Sequence, residues 1–271
     1  MTSQPFDRRL LRRRLERRRP PFEPFLRDQI AGRLVDRLGS IRRRFARVLE
    51  LAAVDDALER AMAEAGLPPF AQHVRAELVP PRGAPASTRV VADLELLPFA
   101  PGRFDLVVVI GGLQWVGDLP GALAQIRRVL VRDGLLLAGF PGGASLVELR
   151  TCLVEAELEL VGGASPRVAP MVDLRDAAAL LQRAGFGSPV ADLEPVPLAY
   201  REPLQLLRDL RAMRETAALA PDLRRPLRRA VLLRALELYR ERFSLPDGTH
   251  PVTVELLFLA GFGGPQTLKT S

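Results

Sequence analysis

The sequence contains very little cysteine, histidine or lysine. Cys152 is the only cysteine among 271 residues, which excludes an internal disulfide and a thiolate metal cluster. The only two histidines, His73 and His250, stand in no spacing typical of metal ligands, so we predict no metal site. Lys269 is the only lysine, so arginine supplies almost all of the positive charge behind the net charge of +7.

Long apolar runs are also missing. A helix that crosses a bilayer needs about 18 or more consecutive apolar residues, and even the apolar stretch 135–147 is broken by glycines and Pro141. We therefore predict a soluble protein without a transmembrane segment. Because a single cysteine suits a reducing compartment, we predict a cytoplasmic location.

The arginines are concentrated at the start of the chain, where eight of them interleave with three leucines between residues 8 and 19. Three interpretations remain open: a solvated basic helix or arm, an organellar transit peptide, and a peripheral contact with anionic lipid. We predict no nucleic-acid binding, because a GC-rich genome alone produces such an arginine bias.

Apolar runs alternate with helical patterns over most of the chain, which predicts an α/β domain with parallel crossovers. The run 104–110 is continuously apolar, as a central parallel strand requires when both of its faces are buried. The predicted strands are 47–51, 74–78, 89–93, 104–110, 135–140, 190–198 and 252–260.

Helix boundaries follow from capping residues and glycines. Asp118 and Asp173 are predicted N-caps, and either Asp55 or Asp56 is predicted to cap a helix that runs through Ala65. Further helices are predicted over 25–38, 118–130, 145–160 and 173–184. About fifty leucine- and arginine-rich residues before the last strand predict two more helices, the second beginning at Pro226.

This pattern predicts three parts. Residues 1–46 form a basic arm with N-terminal lid helices, and residues 47–262 form the main domain. A helical insertion at 203–246 lies within that domain, and residues 263–271 form a mobile tail.

Several motifs resemble those of a known family. The segments DLELLPF (93–99) and FDL (104–106) are similar to class I S-adenosylmethionine-dependent methyltransferases. The segments FDR (6–8), QWVGDLP (114–120), GGASLVELR (142–150) and GGASPRVAP (162–170) resemble the branch related to biotin-synthesis methyltransferases. That branch includes the methyltransferase-like assembly factor of respiratory complex I, whose members are associated with arginine hydroxylation.

The resemblance implies a Rossmann-like sheet of seven mostly parallel strands with an antiparallel last strand. It also implies S-adenosylmethionine as cofactor, bound at the carboxyl ends of the strands. Glu77 would accept hydrogen bonds from the ribose hydroxyls and Asp93 from the adenine amino group, while Glu50 would meet the cofactor's amino group. The residues that the resemblance places at the cofactor are Glu50, Ala52, Glu77, Asp93, Leu94 and Gly111.

The first loop departs from the family pattern. Its three glycines fall on Ala52, Val54 and Asp56, and each replacement adds a side chain next to the cofactor path. A left-handed conformation costs a non-glycine residue about 1–2 kcal/mol, so we expect a reshaped loop. We also expect Asp55 and Asp56 to repel the cofactor's carboxylate.

Candidate catalytic residues are Gln114, Trp115 and Arg150. Gln114 stands where the family more often has histidine, and Trp115 either forms a wall of the acceptor pocket or only packs. Arg150 either binds an acidic group of a partner or pairs with Glu148 or Glu155. Two functions stay open: a cofactor-dependent enzyme for methyl transfer or arginine hydroxylation, and a cofactor-free assembly scaffold. The implied partner is a complex I subunit or another protein substrate.

Overall fold

The computed structural model describes residues 5–17, 23–80 and 88–264. Residues 80–87 are rich in proline, glycine and small residues, a composition that predicts a loop, and most of this segment lies outside the described residues. Most of the predicted tail 263–271 lies outside them as well. Within them, no helix is both long enough and apolar enough for a membrane span.

The described chain forms eight α-helices, nine strands and one 3₁₀ turn (Leu113–Trp115). The helices are α1 (Arg8–Arg17), α2 (Phe25–Gly39), α3 (Ala57–Glu64), α4 (Leu119–Val129), α5 (Val147–Val161), α6 (Leu174–Arg183), α7 (Pro203–Ala212) and α8 (Arg229–Phe243). The strands are β1 (Arg47–Leu51), β2 (Gln72–Glu77), β3 (Thr88–Val91), β4 (Phe104–Ile110), β5 (Leu130–Gly142), β6 (Gly187–Pro195), β7 (Leu198–Tyr200), β8 (His250–Val252) and β9 (Glu255–Phe262).

Seven strands form one sheet in the order β3-β2-β1-β4-β5-β9-β6. The pairs among β1 to β5 are parallel, while β9 runs antiparallel to both β5 and β6. This topology confirms the predicted Rossmann-like fold with a reversed last strand. The strand order changes direction at β1 and β4, and in such sheets ligands bind outside the carboxyl ends of the strands at that point.

Both faces of the sheet are covered, because successive side chains of each strand point to opposite sides. Val107 and Val109 of β4 pack with α4 and α6, while Leu106, Val108 and Ile110 pack with α2 and α3. The continuous apolar run of β4 is therefore buried on two sides, as predicted.

Two of the three predicted helix caps are confirmed. The Asp118 carboxylate accepts from the Gly121 amide at the start of α4, and Asp173 accepts from the Arg175 amide at the start of α6. Asp56 stands at the N-cap position of α3, but its side chain makes no capping hydrogen bond. Its carboxylate instead accepts from Arg75 on β2, and this hydrogen bond lowers the pKa of Asp56.

The insertion differs from prediction in two ways. Helix α8 begins at Arg229, so Pro226 lies before the helix and does not start it. The strands β7 and β8, which the sequence pattern did not separate from their neighbours, pair as a small antiparallel sheet. Helices α5 and α8 pack together in a separate apolar cluster that buries Cys152. This burial raises the pKa of the Cys152 thiol to about 11.

The N-terminal helices are part of the folded domain. Leu26, Ile30 and Leu34 of α2 are buried against the sheet, which confirms the predicted helix 25–38. Helix α1 buries Leu11 in a cluster with Phe6 and Trp115, while most of its arginines face solvent. The described part of the basic arm is thus a packed amphipathic helix rather than a fully solvated one.

Candidate functional site

A cleft of about 700 Å³, including the part open to solvent, lies at the carboxyl ends of β1, β2 and β4. Its floor contains Leu51, Ala76 and Leu94. Helix α1 contributes Leu11 and Leu15 to the opposite wall, and the residues that follow α7 close one side. An apolar cleft with a few polar groups in this position is the expected form of a small-molecule site.

The loop after β1 keeps a bend of the kind that glycine provides. Ala52 has a φ of 55°, in the left-handed region, although it is not glycine. Across the cleft floor, Gly112 has a φ of 90°, and a Cβ added to it would lie 2.7 Å from the Cβ of Ala52. The loop and the turn after β4 therefore approach so closely that at least one of them must lack a side chain.

The buried side chain of Arg27 on α2 holds this loop in place through hydrogen bonds. Its Nε donates to Asp55 at 2.6 Å and its Nη2 donates to the Ala52 carbonyl at 3.0 Å, while Nη1 donates to the Ile110 carbonyl. The residue is only 7% exposed, yet it lines the cleft. A buried guanidinium, neutralised by Asp55, thus ties the ends of β1 and β4 together at the cleft.

Asp55 and Asp56, the carboxylates expected to repel the cofactor's carboxylate, are both paired with arginines. Asp55 pairs with Arg27 and, at 3.3 Å, with Arg60. Asp56 pairs with Arg75 and, at 3.5 Å, with Arg89. These pairs could not be expected from local sequence, since three of the four arginines are distant in the chain.

Glu50 lies under α3 rather than in the cleft lining. Its fully buried carboxylate is 3.1 Å from Arg75 Nε and 3.2 Å from His73 Nε2. Ligand atoms of Glu50, Glu59 and His73 come within 4.8 Å of one another, as in a metal site. However, Arg75 Nη1 also lies 3.1 Å from Glu59, so a guanidinium already supplies the positive charge. His250 bonds elsewhere, to Tyr200 and Ser244, so the two histidines share no site.

The two predicted adenosine acids have protein partners. Glu77 is buried, and its carboxylate is 3.6 Å from Arg89 Nη1. Asp93 forms an ion pair with Arg8 of α1, whose Nε donates to Asp93 Oδ2 at 3.2 Å. Leu94, the neighbour of Asp93, lines the cleft.

Gly111 follows β4 with a φ of 69°, and an added Cβ would lie 3.4 Å from Arg27 Nη1. It precedes Gly112, which lines the cleft, and its predicted place at the cofactor stays a prediction. A side chain at this position would contact the guanidinium of Arg27, which holds the first loop through hydrogen bonds.

A second cavity of about 600 Å³ lies beside the cleft. Its walls are largely apolar and include Phe25, Leu146, Met171 and Val254. Four residues line both cavities and form the wall between them: Gln114, Trp115, Met213 and Glu215. Gln114 and Trp115, two of the candidate catalytic residues, thus lie on the wall between the two cavities. Trp115 also packs edge-on against Phe6 at 5.7 Å between ring centroids.

Glu215 is the acidic group of this shared wall. Gln114 Nε2 donates to both of its carboxylate oxygens, at 3.0 and 3.2 Å. Desolvation raises the pKa of Glu215, while the hydrogen bond from Gln114 and the charge of Arg27 act in the opposite direction. A carboxylate with a perturbed pKa between two cavities is typical of functional sites.

Arg150 lines neither of these two cavities. Its Nη2 donates to the Ser145 carbonyl at 3.3 Å, and the residue borders a separate surface depression with Val154 and Pro166. Neither predicted pairing forms, because Glu148 accepts from Thr253 and Glu155 accepts from Arg242. The structure therefore does not bring Arg150 to the other candidate residues.

Sequence reasoning missed Arg8, Arg27 and Glu215. Arg27 carries a detectable signal, since it lies three residues before Ile30 and seven before Leu34, on the buried stripe of α2. Arg8 stands in a segment that carries the resemblance, but its partner is 85 residues away. Glu215 gives no local signal.

Residues 37–138 match the family described as methyltransferase domain. The chain is 33% identical over 264 residues to the human protein "Arginine-hydroxylase NDUFAF5, mitochondrial", covering 95% of this chain and 76% of that protein. It is 32% identical over 276 residues to malonyl-[acyl-carrier protein] O-methyltransferase from Halorhodospira halophila, covering 96% of this chain and 90% of that protein.

Solved structures show the same fold at low identity. The YcgJ protein from Bacillus subtilis aligns with a TM-score of 0.55 and 14% identity, over 88% of this chain and 99% of that one. The phosphoethanolamine N-methyltransferase 2 of Haemonchus contortus aligns with a TM-score of 0.52 and 15% identity, over 94% of this chain and 60% of that one.

Fold and cleft define a domain of the methyltransferase class. The chain belongs to the class I S-adenosylmethionine-dependent methyltransferase family, in the branch that contains the NDUFAF5 arginine hydroxylases and the malonyl-[acyl-carrier protein] O-methyltransferases.

Proposed function

We propose that this protein is an S-adenosylmethionine-dependent enzyme that modifies a protein substrate. Its likeness to proteins named arginine hydroxylase supports the choice of a protein as substrate. The observation that supports the proposal is the retained cleft at the ends of β1 and β4, with its left-handed bend at Ala52. The family's three glycines fall on Ala52, Val54 and Asp56, and of these Ala52 keeps a left-handed backbone conformation of the kind that glycine permits.

The cleft residues fit the cofactor in chemical character. Leu94, Ala76 and Leu78 offer an apolar surface for adenine, and Arg27, which already pairs with Asp55, is a cleft cation toward which the methionine carboxylate would point. When bound, S-adenosylmethionine supplies an activated methyl group. Asp93 would accept from adenine only after its carboxylate leaves Arg8, so Arg8 is expected to compete with the cofactor.

A second candidate function is a cofactor-free scaffold for assembly of a protein complex. It is favoured by the Arg8–Asp93 pair, because Arg8 already pairs with the carboxylate that is expected to bind adenine. It is also favoured by the side chains of Ala52, Val54 and Asp56, which stand where the family has glycines. The resemblance implies a respiratory complex I subunit as partner in either case. Peripheral membrane contact through α1 stays a prediction. The cytoplasmic location also stays a prediction.

Isothermal titration of the purified protein with S-adenosylmethionine separates the two functions. The enzyme predicts micromolar affinity and the scaffold predicts no heat of binding up to millimolar cofactor. S-adenosylhomocysteine should bind in the same range, and ATP, which shares the adenosine but carries phosphates in place of the amino acid, should bind far more weakly.

A further inference from the structure

A groove of about 800 Å³, including the part open to solvent, lies at the edge of the sheet opposite the cleft. It is lined by the first residues of four parallel strands: Arg47 of β1, Gln72 of β2, Thr88 of β3 and Phe104 of β4. The cleft lies at the carboxyl ends of β1, β2 and β4, and its lining shares no residue with that of the groove. The groove is therefore separate from the candidate functional site.

The floor of the groove is apolar, and the crossover from β3 to β4 brings no helix to cover it. Within the described residues, the segment between Val91 and Phe104 contains only turns, bends and bridges. Val74, Val90 and Phe99 line the groove and stay half-buried. A concave apolar surface that the chain itself leaves open to solvent is typical of an interaction site.

Two arginines border this apolar floor. Arg47 and Arg103 are both exposed, and neither side chain has a hydrogen-bond or ion-pair partner among the described residues. The carboxylate of Asp105 accepts instead from the backbone amides of Ala46 and Arg47, at 3.0 and 2.9 Å. No aspartate or glutamate occurs among the described residues that line the groove. The groove therefore combines an apolar floor with two positive charges that no ion pair balances.

We propose that this groove binds an acidic segment of a partner protein, with an apolar side chain on the floor and carboxylates at Arg47 and Arg103. Arginine binds a carboxylate through two parallel hydrogen bonds, and its stem can cover apolar surface. The phosphates of lipids or nucleic acids would pair with the same arginines but would gain nothing from the apolar floor. The inference goes beyond the proposed function, because it assigns a docking surface away from the cofactor.

Fluorescence anisotropy with two labelled hexapeptides tests the groove. The first peptide, Glu-Glu-Leu-Phe-Glu-Glu, combines acidic and apolar side chains, and the second, Glu-Glu-Ser-Ser-Glu-Glu, keeps only the charge. The wild-type protein is expected to bind the first peptide about tenfold more tightly than the second. A variant that combines Arg47→Gln with Arg103→Gln is expected to bind the first peptide about tenfold more weakly than the wild type.

The matched control combines Arg12→Gln with Arg13→Gln, which removes the same charge from the exposed side of α1. It should leave peptide binding unchanged, and both double variants should bind S-adenosylhomocysteine as the wild type does. Equal binding of the two peptides, absence of binding up to millimolar peptide, or equal losses in the two double variants overturns the inference. Phosphatidylserine vesicles or single-stranded DNA that bind more tightly than the peptide, and lose affinity when Arg47 and Arg103 are replaced, also overturn it. The groove would then serve another class of partner.

Discussion

Arg8 and Asp93 form an ion pair that links α1 to the segment after β3 beside the cleft. The Arg8 side chain also donates to the Trp115 carbonyl at 3.1 Å, so it joins three parts of the site. Since Asp93 is the acid that the resemblance places at adenine, this pair connects the position of the N-terminal helix to cofactor binding.

Replacing Arg8 by glutamine should release Asp93. Both side chains are about one-quarter exposed, so their pairing is worth about 1 kcal/mol, and its loss should tighten cofactor binding about fivefold. Calorimetric titration of Arg8→Gln with S-adenosylmethionine measures this change, with Arg12→Gln on the exposed side of α1 as control. Weaker binding by Arg8→Gln would show that Arg8 belongs to the cofactor-binding residues.

Ala52→Gly should stabilise the protein. Glycine removes the left-handed strain at this position, worth about 1–2 kcal/mol. Part of this gain is offset, because glycine also raises the conformational entropy of the unfolded chain. We expect a gain of about 1 kcal/mol in the free energy of unfolding, together with tighter cofactor binding. Urea denaturation measures the first, and the neighbouring Ala53→Gly, at a buried position without positive φ, should instead destabilise. A loss of stability in Ala52→Gly would contradict the strained-loop interpretation.

Arg27→Met should damage both the fold and the cleft. It leaves Asp55, whose side chain is 11% exposed, without its closest partner and frees the Ala52 and Ile110 carbonyls. Removing one partner of a buried pair costs about 3 kcal/mol, and cofactor affinity should fall by more than tenfold. Arg33→Met, on the same helix but in a more exposed pair with Glu194, should cost less than about 1 kcal/mol. Equal effects of the two substitutions in urea denaturation would refute the special role of Arg27.

Glu215→Gln should increase stability at neutral pH. Desolvation raises the pKa of Glu215 above its ordinary value of 4.5, so the ionised group destabilises the folded state. This penalty is absent below the unfolded-state pKa, grows as pH rises, and is complete above the raised folded-state pKa. The urea midpoint of Glu215→Gln should therefore exceed that of the wild type by an amount that increases from pH 4 to pH 8. A difference that shrinks with increasing pH would mean that the folded protein stabilises the carboxylate.

The sequence predicted those elements whose signals are local. The limits of β1 and β4 and the caps at Asp118 and Asp173 follow from burial on both faces and from single side-chain hydrogen bonds. The small sheet of β7 and β8 was missed because each strand has three residues, too few for a periodic pattern. Pro226 suits a helix start by its conformation, but the helix begins only at Arg229.

The site was harder to predict because its polar contacts join distant segments. Gln114 and Trp115 were predicted as catalytic candidates, and both lie on the wall between the two cavities. Glu50 and Glu77 stand at the strand positions where the family has its cofactor-binding acids. Because successive side chains of a strand point to opposite faces, these two point toward Arg75 and Arg89 on the neighbouring strands. The pairing of Arg27 with Asp55 and of Gln114 with Glu215 depends on the packing of α2 and the insertion, which no local pattern specifies.

The most direct test of the cofactor site is a crystal structure of the protein grown with millimolar S-adenosylhomocysteine. We predict adenine against Leu94 with its amino group at Asp93, Arg8 displaced from that carboxylate, and the amino-acid end of the ligand directed toward Arg27. A cleft without ligand, in which Arg8 still pairs with Asp93, would contradict the proposed enzyme and leave the scaffold.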